Sequence, residues 1–126
     1  MYLGVTEEVF TEVLTPDLLT SVVRKFARHE PNIQAHTHQT EKFGPPGEVL
    51  AVLVGSGGVL EKMRDCLAVE LETAGFSFSK MYAYRPHITL GKWREGVEVT
   101  PTPFLIDSLS VYVGREVHRF PLQPKT

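Results

Sequence analysis

Two amphipathic helical stripes, separated by strand-like segments, constrain the fold of this chain more than any other feature. The first helix is predicted to begin at Thr15, which can cap it, with Pro16 in its first turn and Asp17 near its positive end. Pro31 ends this helix, and Gly75 is the expected stop of the second. Apolar residues recur at helical spacing in both: Leu19, Val22, Val23, Phe26 and Ala27, then Leu60, Met63, Leu67, Leu71 and Ala74.

The other patterned segments are typical of strands. Residues 32–42 alternate, with Ile33, Ala35, Thr37 and Gln39 predicted on one face and Gln34, His36, His38 and Thr40 on the other. Residues 48–54 form a short apolar run, and residues 86–93 form another strand. A long strand over residues 104–113 and a final strand over residues 117–122 would make a hairpin. We predict an α+β fold with mainly antiparallel sheet and two packed helices, in one domain spanning residues 1–126.

Composition and charge narrow the class of protein. A net charge of −2 without a basic block argues against extensive binding of duplex nucleic acid, although a small anionic ligand needs only local positive groups. The single cysteine, Cys66, allows no internal disulfide and fits a reducing compartment. It lies on the second stripe or beside it, and we predict a buried, inert thiol. The longest apolar run, residues 49–54, is too short to span a bilayer, and no secretory pattern opens the sequence. We expect a cytoplasmic protein without a membrane partner.

Residues 84–90, YRPHITL, carry the strongest candidate for chemistry. On a strand, His87 and Thr89 point the same way, while Ile88 and Leu90 point into the core. An imidazole can give or take a proton near neutral pH, and a nearby hydroxyl can donate to a phosphate oxygen. This pair suits phosphodiester chemistry, in which a proton moves while negative charge is stabilised. The alternative is a half-exposed histidine beside a threonine that merely favours a strand.

A second histidine cluster lies on the first predicted strand. His36 and His38 would share one face, a spacing that can hold a transition metal. No third ligand stands nearby in sequence, so we predict neither a metal site nor a cofactor. His38 and Thr40 repeat the spacing of the histidine and threonine in YRPHITL.

The segment YRPHITLGK resembles the second signature motif of the 2H phosphoesterase superfamily, which includes the 2′-5′ RNA ligases and several phage-borne phosphodiesterases. That motif is an aromatic residue, any residue, proline, histidine, a hydrophobic residue, threonine and a hydrophobic residue. Three further segments resemble the strand before the family's second helix, that helix, and the closing hairpin: KFGPPGEVLAVLV, LEKMRDCLAVELETAGF and FLIDSLSVYVGREVHRFPL. The likeness covers roughly residues 15–122.

The resemblance implies a bilobal fold in which two antiparallel sheets are related by a pseudo-two-fold axis. Each lobe carries one HxT motif, and the two motifs face each other across a cleft. The two histidines are the general acid and the general base, without a metal, and the threonines hold the phosphate. Here His87 and Thr89 would take these roles. The implied substrates are 2′,3′-cyclic phosphates, 2′-5′ linkages or cyclic oligonucleotides, and a phage-encoded member would act in the host cytoplasm.

The sequence departs from the family pattern at the first HxT motif. Residues 1–4, MYLG, resemble the tail of the family's first-motif strand, and on this register the chain begins just after the expected histidine. At Gly4-Val5-Thr6, glycine replaces the histidine. Three accounts stay open. His38 with Thr40, or His36, supplies the second imidazole; the chain is a truncated form of a complete enzyme; or the domain keeps a binding cleft without chemistry.

Further candidates lie close to His87 in sequence. Tyr82 and Tyr84 can stack on a base or pack the rim of the cleft. Arg85 and Lys92 can stabilise phosphate charge or simply be solvated. Two functions therefore stand side by side. One is a metal-independent phosphodiesterase acting on a small 2′-linked or cyclic nucleotide or oligonucleotide. The other is an inactive domain of the same fold that binds nucleotides or serves a larger assembly.

Overall fold

The computed structural model describes residues 14–43, 49–77 and 85–124. The elements in these residues are α1 (Pro16–Arg28), β1 (Ile33–Phe43), β2 (Val49–Gly55), α2 (Val59–Thr73), β3 (His87–Lys92), β4 (Pro103–Ile106), β5 (Ser108–Val113) and β6 (Glu116–Pro121). In the described parts of the chain, no helix is long and apolar enough to cross a membrane.

Local sequence chemistry sets the helix ends as predicted. Thr15 is the cap of α1, because its hydroxyl accepts a hydrogen bond from the main-chain nitrogen of Leu18 at 3.1 Å. Pro16 occupies the first helical position, where its missing N–H costs nothing. Gly75 follows α2 with a left-handed φ of 109°, the conformation that ends many helices.

Two antiparallel sheets make up the strand structure. Four strands form the first in the order β3-β2-β1-β4, and β5 and β6 form a separate hairpin. The helix α1 packs against both α2 and the hairpin. The predicted α+β fold, with mainly antiparallel sheet and two packed helices, is confirmed.

The predicted single strand over residues 104–113 is wrong. The chain changes sheets at Asp107, so that β4 pairs with β1 and β5 pairs with β6. Phe104 and Ile106 face the core from β4, whereas Leu109 faces it from β5. This shift from even to odd positions cannot occur in one unbroken strand, where inward residues stay two apart.

The two helices cover one face of the four-stranded sheet, which we call the helix face. Ile33, Ala35 and Val54 are buried there with the apolar stripes of both helices. The opposite side, which we call the histidine face, carries His36, His38, Glu41 and Phe43 from β1, Ala51, Leu53 and Gly55 from β2, and His87, Thr89 and Lys92 from β3.

The edge of the sheet is less buried than predicted. Ile88 and Leu90 were expected to point into the core, yet they are 42% and 48% exposed. Among the strands that the structure describes, β3 lies at one edge of the sheet, with β2 as its neighbour. The core built by the helices centres on β1, β2 and the hairpin, which leaves these two side chains outside it.

A β-bulge interrupts the alternation of β1. The register with β2 shifts between Thr37 and Thr40, so that two residues of β1 stand opposite one residue of β2. An extra residue reverses the face that each later side chain takes. Glu41 and Phe43 therefore lie on the histidine face, and Thr40 does not, contrary to simple alternation.

Candidate functional site

His87 is the first residue of β3, half-buried and opposite Leu53 of β2. Its Nδ1 lies 2.7 Å from the main-chain oxygen of Arg85. A carbonyl oxygen can only accept a hydrogen bond, so Nδ1 carries the proton in this contact. The Nε2 atom of the neutral ring then keeps its lone pair, which is the form that can accept a proton from a reacting group.

Thr89 lies beside His87 on the same face. It pairs with Ala51, two residues along β2 from the partner of His87, and its side chain is exposed. The prediction that His87 and Thr89 share one face of a strand is confirmed. A hydroxyl in this position can donate to an anionic oxygen while the neighbouring imidazole moves a proton.

Phe43, at the end of β1, shows how the sheet is shaped. Its ring meets the ring of His87 edge-on, with the centroids 4.3 Å apart. Phe43 pairs with Val49, whereas His87, two strands across, pairs with Leu53. In a flat sheet their Cα atoms would be roughly 16 Å apart, from about 4.8 Å between strands and 3.3 Å per residue. The contact requires the sheet to curl, with the histidine face on its concave side.

Arg85, a predicted substrate-binding residue, contacts two side chains of β1. Its guanidinium forms an ion pair with Glu41 and lies over the ring of Phe43, 5.4 Å from the ring centroid. The Oε2 atom of Glu41 is buried, while the Arg85 side chain is half-exposed. The positive charge beside His87 is thus matched by a carboxylate of the chain itself.

The two histidines of β1 lie on the histidine face. His36 stands opposite Gly55, and its ring lies so close that a Cβ built on this glycine would come within 2.6 Å of Nε2. The ring of His38 is 5.9 Å from that of His36 and tilted by 46°. Gly55, which stands opposite His36, is two residues along β2 from Leu53, which stands opposite His87. His36 and His87 therefore lie on the same concave face, offset by two residues along the strands.

Thr40 is turned away from this face. It pairs with Val52, and its hydroxyl donates to the main-chain oxygen of Val97 at 3.1 Å. The expectation that His38 and Thr40 share a face as a second HxT pair is therefore wrong, because the bulge falls between them. The imidazole of His38 remains exposed on the histidine face without that threonine.

A second bulge brings Lys92 to the histidine face. The register of β3 with β2 shifts after Thr89, and Gly91 adopts a φ of 136°, which only glycine takes readily. Lys92 consequently pairs with Val49 and lies on the same side as Thr89. Its exposed ammonium adds positive charge beside the pair of His87 and Thr89.

Other predicted residues have different outcomes. Tyr82 and Tyr84 lie outside the described residues, as do residues 1–6, where the first family motif was sought. Among the residues that the structure describes, no three His, Cys, Asp or Glu side chains come together as metal ligands would. Cys66 is exposed on α2, so the prediction of a buried thiol is wrong: it lies beside the apolar stripe.

Sequence reasoning missed Glu41, Phe43 and Gly55. Phe43 had a signal, since it is the one aromatic residue of a polar strand and directly precedes the sequence GPPG. Glu41 had none, because its place beside Arg85 depends on the bulge and on the curl of the sheet. The role of Gly55 depends on which ring stands opposite it.

Comparisons with known proteins agree with this architecture. A family model described as the 2′-5′ RNA ligase superfamily matches residues 1–116. Among solved structures, the crystal structure of TT0787 of Thermus thermophilus is similar, with a TM-score of 0.58 and 18% sequence identity. That likeness covers 94% of this chain and 75% of TT0787, and at this identity it shows the fold alone. No curated protein matches the chain.

The family match and the observed fold point to the same protein family. The matched residues, 1–116, include both helices, the bulged strand and the HxT motif at His87. The fold of two helices and antiparallel sheets is the one that the resemblance to the 2H phosphoesterases implied. The chain therefore belongs to the 2′-5′ RNA ligase superfamily.

Proposed function

We propose that the protein is a cytoplasmic phosphodiesterase that hydrolyses a small 2′-linked or cyclic nucleotide or oligonucleotide on its histidine face. The observation that carries the proposal is the pair of His87 and Thr89 on one concave surface, with Nδ1 of His87 hydrogen-bonded to the main-chain oxygen of Arg85. Membership of the 2′-5′ RNA ligase superfamily supports a nucleotide as the ligand. The proposed chemistry uses acid–base catalysis by side chains, with no metal and no cofactor.

In this proposal, His87 acts as the general base. Its Nε2 accepts a proton from the attacking water as the oxygen of that water forms a bond to phosphorus. The bond from phosphorus to the leaving oxygen breaks, and the leaving oxygen takes up a proton. The Thr89 hydroxyl donates to a non-bridging phosphate oxygen, where negative charge builds up. The exposed ammonium of Lys92 attracts the phosphate equally before and during the reaction.

A second imidazole would protonate the leaving oxygen. Among the described residues, His36 is one candidate for this role, because it lies on the same face as His87, two residues further along the sheet, and packs over Gly55. His38 is the second candidate, with its ring 5.9 Å from that of His36. Thr40 takes no part, since its hydroxyl is bound to Val97.

Hydrolysis assays on 2′,3′-cyclic nucleotides and cyclic oligonucleotides test the proposal. His87→Ala should lower the rate by about 10²–10⁴-fold, the usual contribution of a general acid or base. His118→Ala is the matched control, because His118 lies on the hairpin and contacts Glu116. Equal rates for the wild type and His87→Ala would exclude His87 as the base. His36→Ala and His38→Ala, assayed alongside, identify the acid.

A nucleotide-binding protein without turnover is the second candidate function. The observation that favours it is the orientation of Thr40, which leaves the described residues with one HxT pair on the concave face instead of two. Isothermal titration with the same nucleotides separates the two functions. Tight binding that depends on Thr89 and Lys92, without hydrolysis, would support this candidate. No binding of any nucleotide would contradict both and leave a structural role.

A further inference from the structure

We infer that Glu41 and Arg85 form a positioning pair for His87, and that Arg85 acts through this histidine rather than on the substrate. The inference rests on the proposed function, in which His87 moves the proton. It gives Arg85 a different role from the phosphate contact expected from its place in the sequence. It also gives a role to Glu41 and Phe43, which carried no expectation at all.

The main-chain oxygen of Arg85 holds Nδ1 of His87, but the sheet does not hold that oxygen directly. β3 begins at His87, and the hydrogen bond from β2 at this end runs from the main-chain nitrogen of Val54 to the oxygen of Pro86, at 2.9 Å. The ladder therefore fixes the chain at Pro86. Because the ring of Pro86 fixes φ and Pro86 is buried, the ladder also fixes the carbonyl of the preceding peptide, that of Arg85. Whether Nδ1 meets this carbonyl therefore depends on how the imidazole of His87 is turned.

The side chain of Arg85 helps to hold the imidazole through the ring of Phe43. Its guanidinium pairs with Glu41 and at the same time lies over the ring of Phe43. The edge of the same ring contacts His87. A planar guanidinium can stack on a ring and pair with a carboxylate together, which a lysine ammonium does poorly. The Phe43 ring, the Arg85 guanidinium and the Arg85 main-chain oxygen thus form a connected set of contacts around His87.

These contacts join two strands that are not neighbours. Glu41 and Phe43 belong to β1, while Arg85 and His87 lie at the start of β3, and β2 runs between them. The ion pair is partly exposed, with the Arg85 side chain at 50% and that of Glu41 at 33%, and glutamine keeps the shape of the Glu41 side chain, so the loss to folding should be about 1 kcal/mol or less. A change at Glu41 should therefore leave the fold intact and appear at His87 instead.

Removing the carboxylate of Glu41 should alter the protonation site of His87. Without Glu41, the Arg85 guanidinium no longer holds the Phe43 ring against His87, so that the imidazole can turn away from the Arg85 carbonyl. The hydrogen bond at one ring nitrogen decides which nitrogen carries the proton. A neutral ring protonated at Nε2 cannot accept a proton there. Turnover should fall while substrate binding stays unchanged.

The test is nitrogen NMR of the histidine rings in the full chain, comparing Glu41→Gln with the matched control Glu116→Gln. The wild type should show His87 protonated at Nδ1, and Glu41→Gln should shift it towards the Nε2–H form without changing His118. Glu116→Gln should change only His118, whose Nε2 lies 3.2 Å from the Glu116 carboxylate. A His87 signal that is the same in Glu41→Gln and the wild type would overturn the inference.

Kinetics separate a failure of this inference from a failure of the proposed function. If the wild type hydrolyses nucleotides, Glu41→Gln should lower kcat by about tenfold with KM unchanged, comparable to losing an outer-shell partner of a metal-binding histidine. Glu116→Gln should change neither constant. An inactive wild type would contradict the proposed function alone, and the NMR comparison would still decide whether Glu41 positions His87.

Discussion

The spacing of histidine, any residue and threonine occurs twice, at His87–Thr89 and His38–Thr40, and the two pairs lie in different backbone settings. In β3, the ladder is continuous over His87–Thr89, so both side chains reach the concave face. In β1, the bulge that follows Thr37 separates His38 from Thr40. Equal spacing in sequence gives equal geometry only where the register of the strand is unbroken.

The two regions also differ in how the imidazoles are held. The Nδ1 atom of His87 is hydrogen-bonded to the main-chain oxygen of Arg85, and the ring packs against Phe43. His36 and His38 are exposed and contact mainly Gly55 and each other. A held ring has a defined tautomer and direction, which suits proton transfer.

The largest expected contrast is between the two threonines. Thr89→Val should lower kcat/KM for a cyclic nucleotide by about 10²–10³-fold, as the loss of one donor to a developing anion does. Thr40→Val should leave turnover close to that of the wild type, because its hydroxyl is bound to Val97. Similar losses in both variants would place Thr40 in the site and contradict the role assigned to the bulge.

Gly55→Ala probes the space in which the His36 ring lies. A Cβ 2.6 Å from Nε2 must displace that ring, so the rate should fall by about 10²-fold, the size expected when a catalytic group is misplaced by about 1 Å. The double variant with His36→Ala is the control, and it should be no slower than His36→Ala alone. Additive losses in the double variant would show that Gly55 acts on something other than His36.

The variant Lys92→Gln tests whether the bulge in β3 places a positive charge where it contributes to substrate binding. Lys92→Gln should raise KM about fivefold with little change in kcat, since an exposed charge contact is worth up to about 1 kcal/mol. Lys42→Gln is the control, because the Lys42 ammonium lies over Trp93, 4.8 Å from the ring centroid. The effect of Lys92→Gln should shrink as salt is added. Equal effects of the two lysines would argue against a specific contact.

The smallest expected effect concerns stability alone. Thr40→Val removes the hydrogen bond to Val97 that ties the bulge to the segment after β3. The free energy of unfolding should fall by about 1 kcal/mol, a typical net value for such a bond, as measured by urea denaturation. An unchanged midpoint would mean that the bulge does not need this hydroxyl.

The sequence was sufficient to predict the parts of the molecule that depend on local chemistry. The cap at Thr15, the stop at Gly75 and the shared face of His87 and Thr89 each follow from neighbouring residues, and the structure confirms them. The change of sheet at Asp107 also left a trace, in the shifted phase of the apolar residues around it.

Other features depend on distant contacts and could not be predicted in this way. The bulge in β1 is set by its pairing with β2 and by the hydroxyl of Thr40 on Val97. The ion pair of Glu41 with Arg85 forms only because the sheet curls. One bulge removed a predicted site residue from the concave face and another added Lys92 to it.

The most direct test of the central claim is an NMR titration of the labelled full chain with a 2′,3′-cyclic nucleotide, because it detects the binding face whether or not turnover occurs. We predict shifts at His36, Phe43, His87, Thr89 and Lys92, and none on the hairpin at Tyr112 or His118. Shifts confined to the hairpin or the helices, or no shifts at all, would contradict a nucleotide site on the histidine face.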